Sequence, residues 1–226
     1  MMISPESYYE MELKGKTTAQ IMSVIHDLQN TIEQLKNVME NPDYRNQPKI
    51  HPSESVQVSC MRLYLEKAKN ALAETGGIYI PSEAELTAAD FEENISAISK
   101  LVFSVSDAVT GAAYECDIRT YVFDEKHVYS YYGRIHDTVS ESAGLSSVAK
   151  YVCSKEQFLE KFRKLHIGEW RGEYDLNRFG YYILDGTRWE LEIYYSNGHE
   201  PVKKCGYNNA YPYNFDEFKS LLDYGR

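Results

Sequence analysis

The stretch that decides the fold is Gly180-Tyr-Tyr-Ile-Leu-Asp-Gly-Thr-Arg-Trp-Glu-Leu-Glu-Ile-Tyr-Tyr-Ser-Asn-Gly198, followed by Cys205-Gly-Tyr-Asn-Asn-Ala-Tyr-Pro-Tyr-Asn-Phe215. Trp189, Leu191, Ile193 and Tyr195 alternate with Glu190 and Glu192, the period-two pattern of a strand with one dry and one wet face. Asp185-Gly186 and Asn197-Gly198 are tight-turn pairs, because both tolerate the left-handed backbone that a two-residue hairpin needs. Ile183-Leu184, Trp189 to Tyr195 and Val202 to Cys205 therefore read as a three-stranded meander. Asn214-Phe-Asp-Glu217 then reads as the cap of a final helix with Phe215, Phe218 and Leu222 facing inward, its early acids suiting the helix dipole.

Similar signals precede it. Ser154-Lys-Glu-Gln157 is a capping box opening a helix with Phe158, Phe162 and Leu165 inward and Gly168 beyond its end. Leu101, Phe103 and Val105 alternate with polar residues. Ala113 to Phe123 alternates again after a Thr110-Gly111 turn, and Val128 to Tyr132 follows the turn Asp124-Glu-Lys-His127. These segments form a first three-stranded meander, and the polar run from His136 to Ser147 reads as a loop. Ser82-Glu-Ala-Glu85 begins a helix that ends near Ile95.

The N-terminal part is helical by pattern. Thr17-Thr-Ala-Gln20 is a capping box, and Pro42 stops the helix it opens. Its apolar residues Ile21, Ile25, Leu28, Ile32, Leu35 and Met39 follow a 3.5-residue repeat, the seam of a coiled coil. Ser53 or Ser55 caps a second helix with the stripe Val58, Met61, Leu65, Ala68 and Leu72, ending at Gly76-Gly77. The expected fold is α+β: an antiparallel helical hairpin over residues 1–80, then residues 81–226 with antiparallel sheet from two three-stranded meanders and packed helices. The hairpin seam either packs within the chain or pairs two copies, so a homo-oligomer through it is an open alternative.

Composition narrows the function. The 43% hydrophobic and 26% charged content fits a soluble globular protein, and no apolar run reaches the roughly 18 residues of a membrane span. The N-terminus lacks the basic-then-apolar order of a secretory signal, so the cytoplasm is the expected location. The net charge of −10 argues against direct nucleic-acid binding and is compatible with a partner presenting a basic surface.

Phosphate-loop, dinucleotide, zinc-protease and nucleophile-elbow motifs are missing. Cys60, Cys116, Cys153 and Cys205 form no C-x-x-C pair, and the six histidines are scattered. No cofactor or metal is expected. Cys153, just before a helix N-terminus with His136 or His166 as a candidate base, is the best nucleophile for an alternative reading as an enzyme. Cys116, flanked by Glu115 and Asp117, reads as core.

Twenty tyrosines are the unusual compositional feature. Tyrosine offers large contact area at low entropy cost and is enriched at binding surfaces, although half-buried sheet positions favour aromatics too. Tyr129 and Tyr131 share one strand face, and Tyr207, Tyr211 and Tyr213 crowd one loop. These five are the candidate protein-contact residues.

Two sets of segments carry a resemblance. Ser4-Pro-Glu-Ser-Tyr-Tyr9, Leu13-Lys-Gly-Lys16, Ile21-Met22 and His51-Pro-Ser-Glu-Ser55 are similar to uncharacterised accessory proteins of mobile genetic elements in gut Firmicutes. Asp185-Gly-Thr-Arg-Trp-Glu-Leu-Glu-Ile193 and Asn209-Ala-Tyr-Pro-Tyr-Asn-Phe215 resemble a tail of similar small bacterial proteins. The resemblance implies a cytoplasmic accessory factor of a conjugative element or phage. In that setting, inhibitors of host defence such as anti-CRISPR proteins are a common class, often acidic and non-enzymatic. It transfers no catalytic residues. Together with acidity and tyrosine content it makes a non-catalytic, protein-binding accessory factor the expected function, a mobile-element inhibitor of a host defence or nucleic-acid-handling enzyme. A self-assembling structural module is the third reading.

Overall fold

A computed structural model describes residues 2–107, 115–136, 148–183 and 186–223. The chain divides into two compact units, Met1–Ser82 and Glu83–Arg226. No helix of the described residues is long and apolar enough to cross a membrane.

In the first unit, α1 (Pro5–Tyr8) starts with Pro5 in its first turn and the Ser4 hydroxyl accepting from the Ser7 amide, then runs into a π-helical turn over Tyr9–Leu13. The capping box of α2 (Thr18–Glu40) closes in both directions. The Gln20 amide donates to Thr17 Oγ1, and the Thr17 amide donates to Gln20 Oε1 at 2.9 Å. Helix α3 (Glu54–Glu74) ends where Gly76 takes φ +77°, letting the Gly77 amide reach back to the Leu72 carbonyl at 2.9 Å.

A Cβ on Gly77 would strike both Leu72 and Thr18, so the end of α3 lies beside the start of α2. At the other end, Tyr44, just after α2, donates to the Glu54 carboxylate at the start of α3. The two helices are therefore an antiparallel hairpin. Ile21, Ile25, Leu28, Ala68, Ala71 and Leu72 form its core together with Tyr64. The Tyr64 ring stacks on Tyr8 at 4.1 Å, and its hydroxyl donates to the Ile3 carbonyl at 2.7 Å, which binds α1 to the hairpin.

The second unit opens with α4 (Glu83–Asn94) and a 3-10 turn leading into β1 (Ile98–Asp107). Strands β2 (Glu115–Phe123), β3 (His127–His136) and β4 (Lys150–Ser154) follow, then α5 (Lys155–Arg163), β5 (Glu173–Tyr174), β6 (Arg188–Tyr195), β7 (Val202–Gly206) and α6 (Phe215–Leu221). The strands make one seven-stranded sheet in the order β4-β3-β2-β1-β6-β7-β5. Every neighbouring pair is antiparallel except β5 and β7.

Register assigns the faces. Leu101 and Phe103 of β1 stand opposite Tyr121 and Arg119 of β2, and opposite Ile193 and Leu191 of β6, so all share one side. Phe91 from α4, Phe158 and Phe162 from α5, and Phe215 and Phe218 from α6 join these sheet residues in a single buried cluster with Trp170 and Trp189. The hydrophobic free energy of the unit is concentrated on this side.

Four sequence expectations change in detail. The buried stripe of α2 leaves Leu35 and Met39 half-exposed and passes instead through Lys36 and Glu40. A straight helix has 3.6 residues per turn, so a 3.5-residue apolar repeat drifts by about 20° per heptad. The second group of strands is a β6–β7 hairpin joined by the two-residue parallel strand β5, not a third antiparallel strand from Ile183. Ser53 occupies the N-cap of α3 without a side-chain capping bond. Asn214 occupies the N-cap of α6, but its side chain is drawn into the core. It accepts from the Trp170 indole at 2.9 Å and donates to the Leu165 carbonyl at 2.7 Å. The Thr110-Gly111 turn, Leu184-Asp185 and most of the loop expected between His136 and Ser147 lie outside the described residues.

Gly206 sits where any side chain would strike the Trp189 indole and the Ala210 carbonyl, which are hydrogen-bonded to each other. Gly206→Ala is expected to cost about 3 kcal/mol through overpacking. Gly172→Ala, which meets open space, should stay within about 1 kcal/mol. Urea denaturation of the two variants checks the contrast.

Candidate functional site

The sheet side opposite the helices carries residues that are half-buried or exposed, with Cys116, Ser106 and Gly133 the buried exceptions. It divides chemically into two halves. On the β6–β7 half, Glu192 takes an ion pair from Lys203 and a hydrogen bond from Tyr194 at 2.5 Å, while Lys100 lies 4.0 Å from the Tyr194 ring centre. Those hydrogen bonds from Lys203 and Tyr194 hold the Glu192 carboxyl below its usual pKa. Arg188 pairs with Glu190 at 3.4 Å and lies 5.0 Å from the Tyr207 ring. Both acids on this half are paired with cations.

The β3–β4 half is aromatic. Tyr129 stands opposite Tyr151, and with His127 they form a mutual edge-on trio with ring centres 5.8 to 6.2 Å apart. The turn before β3 positions it, since the Asp124 carboxylate accepts from the amides of Lys126 and His127 at 2.7 and 2.6 Å. Tyr131 follows on the same face by strand alternation. Tyr151 is 55% exposed, and Val122, opposite Tyr129 on β2, is 37% exposed.

The five candidate tyrosines therefore do not form one patch. Tyr129 and Tyr131 belong to the aromatic half. Tyr207 is on the same sheet side but four strands away, about 19 Å at roughly 4.8 Å per strand. Its hydrogen bond with Cys205 raises its pKa. Tyr211 stacks on Phe215 at 4.7 Å, and Tyr213 also packs against the core.

Their loop is tied down by Asn208 and Asn209, both left-handed. Asn209 exchanges hydrogen bonds with Thr187, its amide donating to the Thr187 carbonyl and its side-chain oxygen accepting from the Thr187 amide. Sequence reasoning missed Tyr151, because β4 is a five-residue edge strand with little alternation to read, and His127, which it placed in the turn and which instead opens β3.

Cys153 packs against the core, and burial pushes its thiol pKa up, against a smaller opposing effect of Lys161. Burial likewise raises Cys116, with Asp117 and Glu190 adding to it. The most catalytic-looking pair is Asp90 and His199, joined at 2.7 Å, but the other ring nitrogen of His199 is tied to the Glu200 carbonyl at 2.8 Å. The neighbouring Tyr195, 4.7 Å away, is pushed by burial up to about 12 and is a poor proton donor to any such relay. This arrangement is a clasp holding the β6–β7 turn to α4. Among the described residues, no three His, Cys, Asp or Glu side chains converge to hold a metal ion.

Two outcomes test these assignments. With less thiolate at pH 7.5 than an ordinary cysteine, Cys153 should react with iodoacetamide more slowly than free cysteine, measured by site-resolved mass spectrometry. Faster reaction would restore it as a nucleophile. The hydrogen bond to Asp90 raises the His199 pKa above 6.5. The folded state thus binds this proton more tightly than the unfolded chain does. Its stabilising contribution is full below pH 6.5 and is lost as pH rises through the elevated value. Denaturation midpoints should show this loss in the parent and not in Asp90→Asn.

No family model, curated protein or solved structure matches the chain.

Proposed function

We propose that this protein is a non-catalytic binding factor that holds a protein partner on the aromatic half of its open sheet face. The observation that carries this reading is the His127, Tyr129 and Tyr151 trio, fixed by mutual ring contacts on a face that no helix core of its own unit fills. Preordered rings lose little entropy on binding, which is why such residues supply much of the affinity in protein interfaces.

The partner's chemistry follows from two further features. Tyrosine faces attract guanidinium and ammonium groups, and a net charge of −10 steers basic surfaces toward the protein. A partner rich in Arg and Lys, such as a nucleic-acid-handling enzyme, fits both. The resemblance to mobile-element accessory proteins makes a host defence enzyme the first partner class to examine. On this reading the protein inhibits by occupying a cationic surface that would otherwise engage nucleic acid. Tyr207, Tyr211 and Tyr213 are outside the proposed contact.

The test uses the tagged full chain in nuclease-treated lysate, followed by affinity measurement with the recovered partner. Tyr129→Ala with Tyr151→Ala should weaken binding at least tenfold while leaving the circular dichroism spectrum unchanged. Tyr182→Ala, 85% exposed and not in a strand, should leave it unchanged. High salt should also weaken the complex. Full affinity in the double variant would remove the patch from the function.

A further inference from the structure

We propose that a cleft on the helix side of β2, β3 and β4 binds a small phosphorylated ring compound of mononucleotide size. Its origin is a change of character along two strands. The helix-facing residues of β2 run Phe123, Tyr121, Arg119, and those of β3 run Val128, Ser130, Tyr132. Phe123 and Tyr121 lie against Phe158 of α5, with ring centres 5.1 and 6.0 Å away. Beyond them the strands present polar and aromatic groups instead of core residues, and a cleft of about 680 Å³ lies there. That volume is within the roughly 300–1,000 Å³ of small-molecule sites.

The lining has the chemistry of an anion site, in a chain that is acidic overall. Arg119, Lys150 and Lys161 line the cleft with one acid, Asp223, and Asp117 stands at its edge on the Tyr132 hydroxyl, so cations outnumber acids three to two. A phosphomonoester carries close to two negative charges at neutral pH. Arg119 is already oriented: its Nη1 donates to the carbonyls of Leu222 and Asp223 at 3.1 and 2.7 Å. Lys150 is 78% exposed and only 3.9 Å from Asp223, a loose pair that a phosphate can displace. The Lys161 side chain is exposed and takes part in no ion pair among the described residues.

The ring half of the ligand has its own support. Tyr132 is 43% exposed. Its hydroxyl donates to Asp117 at 2.7 Å, and the Arg119 guanidinium lies 5.9 Å from its ring centre. A tethered, partly exposed ring beside a cation cluster is a stacking platform next to a phosphate site. Inorganic phosphate engages only the cations, and an uncharged nucleoside engages only the ring. The cleft therefore favours a molecule carrying both.

Isothermal titration of the full chain with AMP, UMP, adenosine and inorganic phosphate tests this. AMP or UMP should bind saturably, at least tenfold more tightly than adenosine or phosphate. Lys150→Gln with Lys161→Gln should weaken that binding at least tenfold without shifting the melting temperature, since both side chains are exposed. Tyr132→Leu should bring the mononucleotide down toward the phosphate value. No saturable binding of either mononucleotide at millimolar concentration would overturn the proposal, as would equal affinity for phosphate alone or full affinity in the double lysine variant. Neither lysine belongs to the tyrosine contact patch, so failure here leaves that reading standing.

Discussion

Much of the second unit depends on where the Trp189 indole lies. Burying a tryptophan removes roughly 200 Å² from water, worth about 5 kcal/mol at 25 cal/mol per Å². Much of that gain would be lost if the indole N–H went unpaired. Trp189 donates to the Ala210 carbonyl at 2.7 Å, which requires the chain after β7 to fold back over the sheet. Gly206 supplies the clearance, and left-handed Asn208 and Asn209 supply the reversal. The same return delivers Asn214 to Trp170 and Phe215 to both indoles. One buried N–H thus links hairpin, loop and last helix.

The core also contains a charge. Lys204 faces the helices opposite Leu191, and its ammonium donates to the Trp170 carbonyl at 2.6 Å. Burial lowers its pKa, so the folded state disfavours the charged form that the unfolded chain carries freely. The bond joins β7 to the segment just before β5, beside the parallel β5–β7 pairing that places Glu173 opposite Cys205. A two-residue strand has little pairing energy of its own. Side-chain tethers of this kind hold it at the sheet edge.

Local chemistry was legible in the sequence, and long-range pairing was not. The Thr17 and Gln20 box, the Gly76 stop and the β1–β2–β3 alternation are set within a few residues, where propensity and pattern act directly. The α+β class followed from them. The Asp90–His199 clasp joins residues 109 apart and leaves no local trace. Asn214 carried a sound capping signal, but the buried Trp170 N–H is the costlier group to leave unpaired and takes the side chain. For the candidate site, the shared face of Tyr129 and Tyr131 was readable from alternation. The core packing of Tyr211 and Tyr213 depended on a loop conformation that no spacing encodes.

The aromatic patch itself rests on an irregularity. In a regular strand Tyr151 and Cys153 would share a face. Val128 instead pairs with Cys153 and Tyr129 with Tyr151, so β4 spends one residue more than β3 across that step. Such a bulge turns two consecutive side chains toward the same side, and Val152 and Cys153 both pack against the core. Past the bulge the alternation is reset. Tyr151 then joins Tyr129 on the open face, while Lys150 falls opposite Ser130 on the cleft side. One inserted residue in an edge strand therefore builds both surfaces. Pairing the same residues without the bulge would set Val152 opposite Tyr129 and move Tyr151 and Lys150 to exchanged faces, dismantling the ring trio and the cation cluster together.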